Sequence, residues 1–185
     1  MTMKIRKASI EEYPDVRAFY HSLIDSLEGT EYHPMWQKDI YPAPEDLKSA
    51  LEAETLYLGE INGETVTAMV LNKECNDEYA DVHWDVDAAQ GEFMVIHMLG
   101  VHTDHAGKGI AKQMVRFALS HAKGAGMKCV RLDVLDGNVP AERLYPGMGF
   151  KYVETVKLFY EDTGWMDFHL YEYDLTKPDA YAVLD

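Results

Sequence analysis

The sequence predicts an α+β protein whose mixed sheet carries helices on both faces, and three observations support this prediction. Short runs of strand-forming residues alternate with segments in which apolar residues recur at helical spacing. The dipeptide Asn62-Gly63 lies between two strand-like runs, which is typical of a β-hairpin. A strand–helix–strand unit then follows the hairpin strands, and such a unit adds a parallel pair to the sheet.

Length and composition favour one globular domain. The chain has 185 residues, which is within the usual size of a single domain, so we expect residues 1–185 to form one unit. Apolar residues make up 47% of the chain and aromatic residues 11%, which is too many for a disordered protein.

The net charge of −15 excludes two classes of partner. Nucleic acids and anionic membranes both recruit clusters of Lys and Arg, so we expect neither as a partner. No run approaches the ~18 consecutive apolar residues of a membrane span, and the first residues lack the apolar core of a signal peptide. With only Cys75 and Cys129, the chain is not a disulfide-stapled fold, and it lacks the Cys/His spacing of a zinc site. We therefore expect a reducing cytoplasm and no metal.

The first half of the chain contains one strand, two helices and the hairpin. Ser9 is a suitable N-cap for the first helix, which carries acidic residues in its first turn and ends near Gly29. Residues 30–44 are rich in proline and aromatic residues and are expected to be irregular. The predicted bounds are a strand over 3–8, helices over 9–27 and 44–53, and hairpin strands over 56–61 and 65–71.

The second half begins with an acidic loop and then alternates strands and helices. The predicted bounds are a loop over 73–92, a strand over 93–101, a helix over 108–123, a strand over 128–135, a short helix over 138–145, and strands near 150–160 and 165–175. The last ten residues are expected to fray.

The segment 95–111 predicts a strand, a tight turn with two glycines, and the start of a helix. The free backbone N–H groups at such a helix start can bind a phosphate, and glycines let a ligand oxygen approach the main chain. The alternative is a plain helix entry with solvated lysines. The Walker and dinucleotide motifs fit poorly, since Lys108 lies between Gly107 and Gly109 and the third glycine is absent.

Two segments together resemble the GNAT superfamily of acetyl-CoA-dependent N-acetyltransferases. Leu99-Gly100-Val101, followed by Gly107-Lys108-Gly109-Ile110-Ala111, is similar to the strand end and pyrophosphate loop of that family. The segment from Asn138 to Phe150 (NVPAERLYPGMGF) is similar to its Asn-x-x-Ala-x-x-Leu-Tyr-x-x-x-Gly-Phe segment. Ala106 replaces the family's Arg or Gln, and Pro146 removes an N–H from the last helical turn.

The resemblance implies a mostly antiparallel central sheet and acetyl-CoA as cofactor. Leu99 and Val101 would offer main-chain groups to pantetheine and to the thioester carbonyl. Asn138 would contact the pantetheine arm, or would simply cap the helix. The implied cofactor-binding residues are Leu99, Gly100, Val101, Ala106, Gly107, Lys108, Gly109, Ile110, Ala111, Lys112, Asn138 and Ala141.

The resemblance implies two catalytic roles. Tyr145 is the general acid that protonates the leaving thiolate, the alternative being a packing tyrosine. For the general base, strand alternation places Val95, His97, Leu99 and Val101 on one face, so His97 is the titratable group there. A core histidine with a water chain to solvent is the alternative. His102 and His105 are interpreted as turn residues.

The predicted function is therefore transfer of an acetyl group from acetyl-CoA to a primary amine of a small molecule or peptide. A CoA-binding module without transfer activity is the alternative. Trp36 and Tyr41 would line the acceptor pocket or form a lid. Residues 105–151 carry a net charge of +5 against −20 for the rest, which favours an anionic cofactor beside the glycine loop and a cationic acceptor elsewhere. The resemblance also allows a homodimer.

Overall fold

A computed structural model describes residues 3–31 and 33–177, which contain seven strands and four helices. The strands are β1 (Lys4–Lys7), β2 (Leu56–Ile61), β3 (Glu64–Asn72), β4 (Phe93–Val101), β5 (Cys129–Leu135), β6 (Lys151–Tyr160) and β7 (Gly164–Asp174). The helices are α1 (Tyr13–Leu27), α2 (Pro44–Glu52), α3 (Ile110–Gly124) and α4 (Val139–Gly147). Short 3-10 turns cover Ile10–Glu12, Asp77–Asp81 and Thr103–His105.

All seven strands belong to one sheet, in the order β1-β2-β3-β4-β5-β7-β6. The β4–β5 pair is parallel, and the other neighbouring pairs are antiparallel. The connection from β4 to β5 runs through α3, as a parallel pair requires. The predicted mixed and mostly antiparallel sheet is therefore confirmed.

Helices cover both faces of the sheet, as predicted. Helices α3 and α4 pack on one face, together with the side chains of β3, β5 and β7 that point to it. Helices α1 and α2 cover the other face over β2 and β3. Over β5 and β7 that second face is covered by the segment 73–92 instead. We call these faces the α3 face and the α1 face.

The acidic segment 73–92 is anchored to the sheet and is not merely a solvated loop. Beneath it, Arg131 and Glu172 form an ion pair of 2.8 Å whose side chains are 3% and 2% exposed. The guanidinium of Arg131 lies between the rings of Trp84 and Phe93 and also donates to the carbonyl of Val86. Because a buried charge needs a partner, this ion pair holds the segment in place.

The predicted element bounds agree with the structure to within a few residues. Asn62 and Gly63 both have positive φ, as a tight hairpin turn requires. The first helix begins as a 3-10 turn, in which the N–H of Ser9 donates to the carboxylate of Glu12 across 2.8 Å. Cys75 and Cys129 are free. In the described ranges no helix is long and apolar enough to cross a membrane. The predicted fraying of the last ten residues falls mostly outside the described residues.

Candidate active site

The site begins where β4 and β5 separate. Their ladder ends at the pair Val95–Arg131. Beyond this pair β4 continues along β3 to Val101, while β5 continues along β7 to Leu135. Two parallel strands that diverge in this way leave main-chain groups of the sheet without a neighbour and open a gap through it.

A β-bulge in β4 lies at this gap. Val70 pairs with His97 and Ala68 with Gly100, so Met98 and Leu99 together oppose a single residue of β3. Met98 has a φ of 54°, a left-handed value that is uncommon for a residue with a side chain. A bulge leaves its extra residue outside the ladder, so main-chain groups here take partners from outside the sheet.

The bulge corrects the predicted face of His97. Regular alternation would place Val95, His97, Leu99 and Val101 on one side of the strand. In the structure Val95 packs into the core under the α1 face, whereas Leu99 and Val101 pack against the core under the α3 face. The extra residue reverses the alternation, so His97 and Leu99 do not share a face.

A cleft of about 650 Å³ opens on the side of α3 and α4. The charged groups that line the cleft are the cations Lys112 and Arg143. The described residues that line it include no carboxylate. Most predicted cofactor-binding residues border this cleft: Leu99, Gly100, Val101, Ala106, Gly107, Gly109, Ile110, Ala111, Lys112, Asn138 and Ala141. Lys108 does not line it, since its ammonium group donates to the carbonyl of Asp104 across 2.8 Å.

The turn before α3 has the backbone that a phosphate loop needs. Gly107 and Gly109 have φ values of 73° and 75°, and a Cβ added at either would meet no atom within 4 Å. Their need for glycine therefore comes from the backbone conformation, and the space beside them stays open. Gly109 caps α3, whose first N–H groups consequently face the cleft.

Gly100 is required for a different reason. A Cβ on Gly100 would lie 2.3 Å from Cδ2 of Leu23, so this glycine allows α1 to pack closely on β4. The packing of α1 therefore requires glycine at this position of the cleft wall, whether or not a ligand binds beside it.

Tyr145 borders both the cleft and a second, smaller cavity. It is buried in the last turns of α4, against Phe150 and Tyr171. Burial raises the pKa of its hydroxyl above the ordinary value, and the nearby charge of Asp133 adds to the rise. The phenol therefore keeps its proton at neutral pH. Pro146 lies inside α4, and the carbonyl of Tyr145 still accepts from the N–H groups of Met148 and Phe150.

Asn138 also borders both spaces. It occupies the N-cap position of α4, yet its side chain makes no capping hydrogen bond. The carboxylate of Glu142 instead accepts from the N–H of Gly137 across 2.8 Å. The amide of Asn138 is thus not committed to capping the helix.

The smaller cavity, of about 100 Å³, lies at the gap and reaches from Ala141 and Tyr145 on the α3 face to Tyr160 and Phe168 on the opposite face. The segment 33–42 forms one wall with Trp36 and Tyr41, the residues predicted for the acceptor side. Tyr41 contacts the ring of Tyr160 at 5.2 Å between centroids. The charged groups that line this cavity are Asp133 and Asp162, and the described residues around it include no Lys or Arg.

Asp133 on β5 is the central polar group of this cavity. It accepts a hydrogen bond from the hydroxyl of Tyr79 at 2.7 Å and from that of Tyr160 at 3.1 Å. Burial raises the pKa of its carboxyl group above the ordinary value, and the hydrogen bonds from the two tyrosines oppose the rise. Asp133 is therefore more basic than a solvated aspartate.

His97 lines the same cavity from β4. Its Nε2 lies 3.0 Å from both the side-chain oxygen of Asn72 and the carbonyl of Glu74. Asn72 presents oxygen here, because this atom also accepts from the N–H of Glu74. Nε2 must then carry the proton. Burial lowers the pKa of His97, so the ring is neutral at pH 7 with its lone pair on Nδ1.

Several polar residues of the two spaces were not identified from the sequence. Asp133, Tyr160 and Asp162 line the smaller cavity, and the position of an aspartate inside the apolar strand KCVRLDVL is a signal that could have identified the first of them. His105, interpreted only as a turn residue, also lines the cleft. Its Nδ1 is buried, and no group in the described part of the chain pairs with it.

Known proteins resemble this chain in sequence and in fold. The sequence profile of the acetyltransferase (GNAT) family matches residues 17–150. Mycothiol acetyltransferase from Corynebacterium glutamicum is 32% identical over 79 residues, which are 43% of this chain and 27% of that protein. The enzyme of that name from Actinosynnema mirum is 34% identical over 76 residues, or 40% and 25% of the two chains. The chain thus spans about a quarter of the length of these relatives.

Solved structures share the fold at low sequence identity. A GNAT-family acetyltransferase from Streptococcus agalactiae has a TM-score of 0.76 and 18% identity, covering 95% of this chain and 96% of that one. A Salmonella typhimurium protein solved with its cofactor acetyl-CoA has a TM-score of 0.68 and 17% identity, covering 96% of both chains.

Proposed function

This chain belongs to the acetyltransferase (GNAT) family, and from that premise we propose that it transfers an acetyl group from acetyl-CoA to a primary amine by direct attack. The observation that carries the proposal is the position of Tyr145, which borders both the cationic cleft and the anionic cavity. A phenol at this junction can serve a reaction between a donor held in one space and an acceptor held in the other. We treat residues 1–185 as one acetyltransferase domain, and the cytoplasm and a homodimer remain predictions.

The residues of the cleft fit acetyl-CoA, which supplies the acetyl thioester. The open turn at Gly107 and Gly109, with the start of α3, presents N–H groups suited to a pyrophosphate. Lys112 and Arg143 add positive charge, and His105 offers a buried ring nitrogen. Lys108 would contribute through its main chain alone. These features compensate for Ala106, which lacks the polar side chain of the family pattern.

The remaining residues of the proposed site orient the reacting groups. Leu99, Gly100 and Val101 form the β4 edge of the gap, and the bulge there supplies main-chain groups for the pantetheine and the thioester carbonyl. Asn138 and Ala141 form the opposite edge on α4. Tyr145 holds the proton that the sulfur takes when its bond to the acetyl carbon breaks.

The test measures thiol release from acetyl-CoA with a panel of primary amines, for the wild type beside Tyr145→Phe. We expect Tyr145→Phe to lower kcat by about 10²–10⁴-fold, because a positioned general acid contributes that much, with CoA binding retained. The matched control is Tyr152→Phe on β6, whose side chain is outside both spaces and 55% exposed. It is expected to leave kcat unchanged.

Two results would contradict the proposal. Full activity in Tyr145→Phe would show that another group protonates the thiolate. CoA binding to the wild type, measured by calorimetry, with no thiol release on any amine would favour the CoA-binding module without transfer activity.

A further inference from the structure

We infer that Asp133 binds the acceptor amine as a cation and takes its proton, and that the acceptor is a small, positively charged primary amine. The inference rests on the proposed acetyl transfer and extends it to the acceptor side. It assigns the base to β5, whereas the sequence pointed to His97 on β4.

The first support is the separation of charge between the two spaces. The cleft is lined by Lys112 and Arg143 without a carboxylate, and the smaller cavity by Asp133 and Asp162 without a Lys or Arg, among the residues that the structure describes. The field of the cavity therefore attracts a cation and repels an anion.

The second support is the geometry of Asp133. Its two partners, Tyr79 and Tyr160, both donate to it, so the carboxylate is held in one orientation. An ionised carboxylate has about four lone-pair sites, and two hydroxyl donors leave room for the N–H of a ligand. Oδ1 of Asp162 is buried, with no partner among residues 3–31 and 33–177. The cavity thus holds acceptors that the protein itself does not fully satisfy.

The third support concerns the size and the walls of the cavity. Its volume of about 100 Å³ is less than a fifth of that of the cleft, which is about 650 Å³. An amino group and a short carbon chain fill this space. The rings of Trp36, Tyr41 and Tyr160 line it, and aromatic faces favour a cation beside them.

Each proton in the inferred step has a donor and an acceptor. The ammonium gives one proton to Asp133, and the freed lone pair of the nitrogen attacks the acetyl carbon. The carbon–sulfur bond breaks, the sulfur takes the proton of Tyr145, and the amide nitrogen sheds its second proton to solvent. Solvent then reprotonates Tyr145 and deprotonates Asp133. His97 is neutral, with its Nε2 proton on Asn72 and Glu74 and a lone pair on Nδ1, so it lacks the negative charge by which Asp133 holds the ammonium.

The test compares two amines of similar size, ethylamine and trifluoroethylamine. Fluorine withdraws electrons, so the second amine is largely uncharged at neutral pH and needs no proton acceptor before attack. For Asp133→Asn we expect kcat/KM with ethylamine to fall by about 10²-fold or more, the usual contribution of a general base. With trifluoroethylamine the loss is expected to be several-fold smaller.

Controls separate this inference from the proposed function. Asp167→Asn changes an exposed aspartate of β7 that pairs with Lys157 at 2.9 Å, and it is expected to match the wild type on both amines. If Asp133→Asn keeps the wild-type value, or loses the same factor on both amines, the inference is wrong while acetyl transfer stands. It is also wrong if the wild type acetylates other amines of the panel but neither of these two. Absence of thiol release with every amine would overturn the proposed function and this inference together.

A second variant covers the case in which Asp133→Asn does not fold. Tyr160→Phe removes one hydrogen-bond donor from the carboxylate, which raises the pKa of Asp133 further. Protonated Asp133 accepts no proton, so the acid limb of kcat/KM for ethylamine should move to higher pH. The titratable groups that face Asp133 or share its cavity are Tyr41, Tyr79, His97, Tyr145, Tyr160 and Asp162. If the acid limb does not move, it reflects the titration of Asp162 or His97, and the inference is wrong.

Discussion

Tyr20 of α1 donates its hydroxyl to the main-chain carbonyl of Met98 across 2.9 Å, at the bulge of β4. Tyr20 is 1% exposed, and Met98 has the left-handed backbone of the bulge. Since the bulge reverses the strand's alternation at the gap, this hydrogen bond connects the packing of α1 to the shape of the proposed active site.

Tyr20→Phe should destabilise the protein and loosen the bulge. The loss of one buried hydrogen bond to a carbonyl is expected to cost about 1–2 kcal/mol in the free energy of unfolding. The KM for acetyl-CoA should rise at the same time. Urea unfolding and steady-state kinetics measure the two effects. Tyr13→Phe, on the same helix, is the control, and equal effects in both variants would contradict a role for this hydrogen bond.

Gly107→Ala and Gly109→Ala should weaken CoA binding. A residue with a Cβ is strained by about 1–2 kcal/mol at the φ values of these positions, so the turn is expected to shift. A loss of about tenfold in affinity corresponds to about 1.4 kcal/mol. Calorimetric titration with CoA measures it.

Gly124→Ala is the matched control for the glycine turn. Gly124 ends α3 without a positive φ, and a Cβ there meets no atom within 4 Å. It should therefore keep CoA affinity and gain up to about 1 kcal/mol of stability. Unchanged affinity in Gly107→Ala and Gly109→Ala would refute the phosphate-loop assignment.

Gly100→Ala should destabilise the fold through a clash with α1. The added Cβ would lie 2.3 Å from Cδ2 of Leu23, and such overpacking typically costs about 1–3 kcal/mol. Introducing Leu23→Ala as well removes the clashing atom, so the penalty of the glycine substitution should shrink by about 1 kcal/mol or more. A double-mutant cycle from urea unfolding measures this coupling. Additive effects would show that the clash is relieved elsewhere.

The stability of the protein should fall on acidification in a way that depends on His97. Burial lowers the pKa of this histidine below its ordinary value of 6.5. As the pH falls below about 6.5, the unfolded chain takes up the proton before the folded chain does, and unfolding becomes more favourable. His97→Gln can still donate to Asn72 and Glu74 but does not titrate.

The comparison of wild type and His97→Gln isolates this effect from the other histidines. The free energy of unfolding of the wild type minus that of His97→Gln should be constant above pH 7. It should decrease as the pH falls from 7 to 5. Urea unfolding across this range measures it. A difference that does not change with pH would show that His97 titrates in the folded chain as it does in the unfolded chain.

The elements of the fold could be predicted because their signals are local. The apolar spacing of α3, the turn dipeptide Asn62-Gly63 and the two glycines before α3 each depend on residues that are neighbours in the sequence. The segment 73–92 shows the limit of such signals. Its composition predicted only an acidic loop, whereas the buried pair of Arg131 and Glu172 anchors it, and those partners are 41 residues apart.

In the candidate site, too, the local features could be predicted and the features that depend on tertiary structure could not. The turn at 107–109 and Tyr145 could be identified from the chain, since each belongs to a motif of fixed spacing. The bulge at Met98 was not visible in the sequence, because an irregularity in a strand depends on its register with β3. For this reason the alternation argument assigned His97 to the wrong face.

The sequence by itself determined the type of fold, the glycine turn at the start of α3, and Tyr145 as a candidate acid, because periodicity and motif spacing are properties of consecutive residues. Only the tertiary structure decided which side chains meet at the gap between β4 and β5. Asp133, Tyr79 and Tyr160 come from three separate segments, and their meeting depends on the order of strands in the sheet. The interaction between charges depends on their distance in space, so the anionic character of the acceptor side could be identified only from the fold.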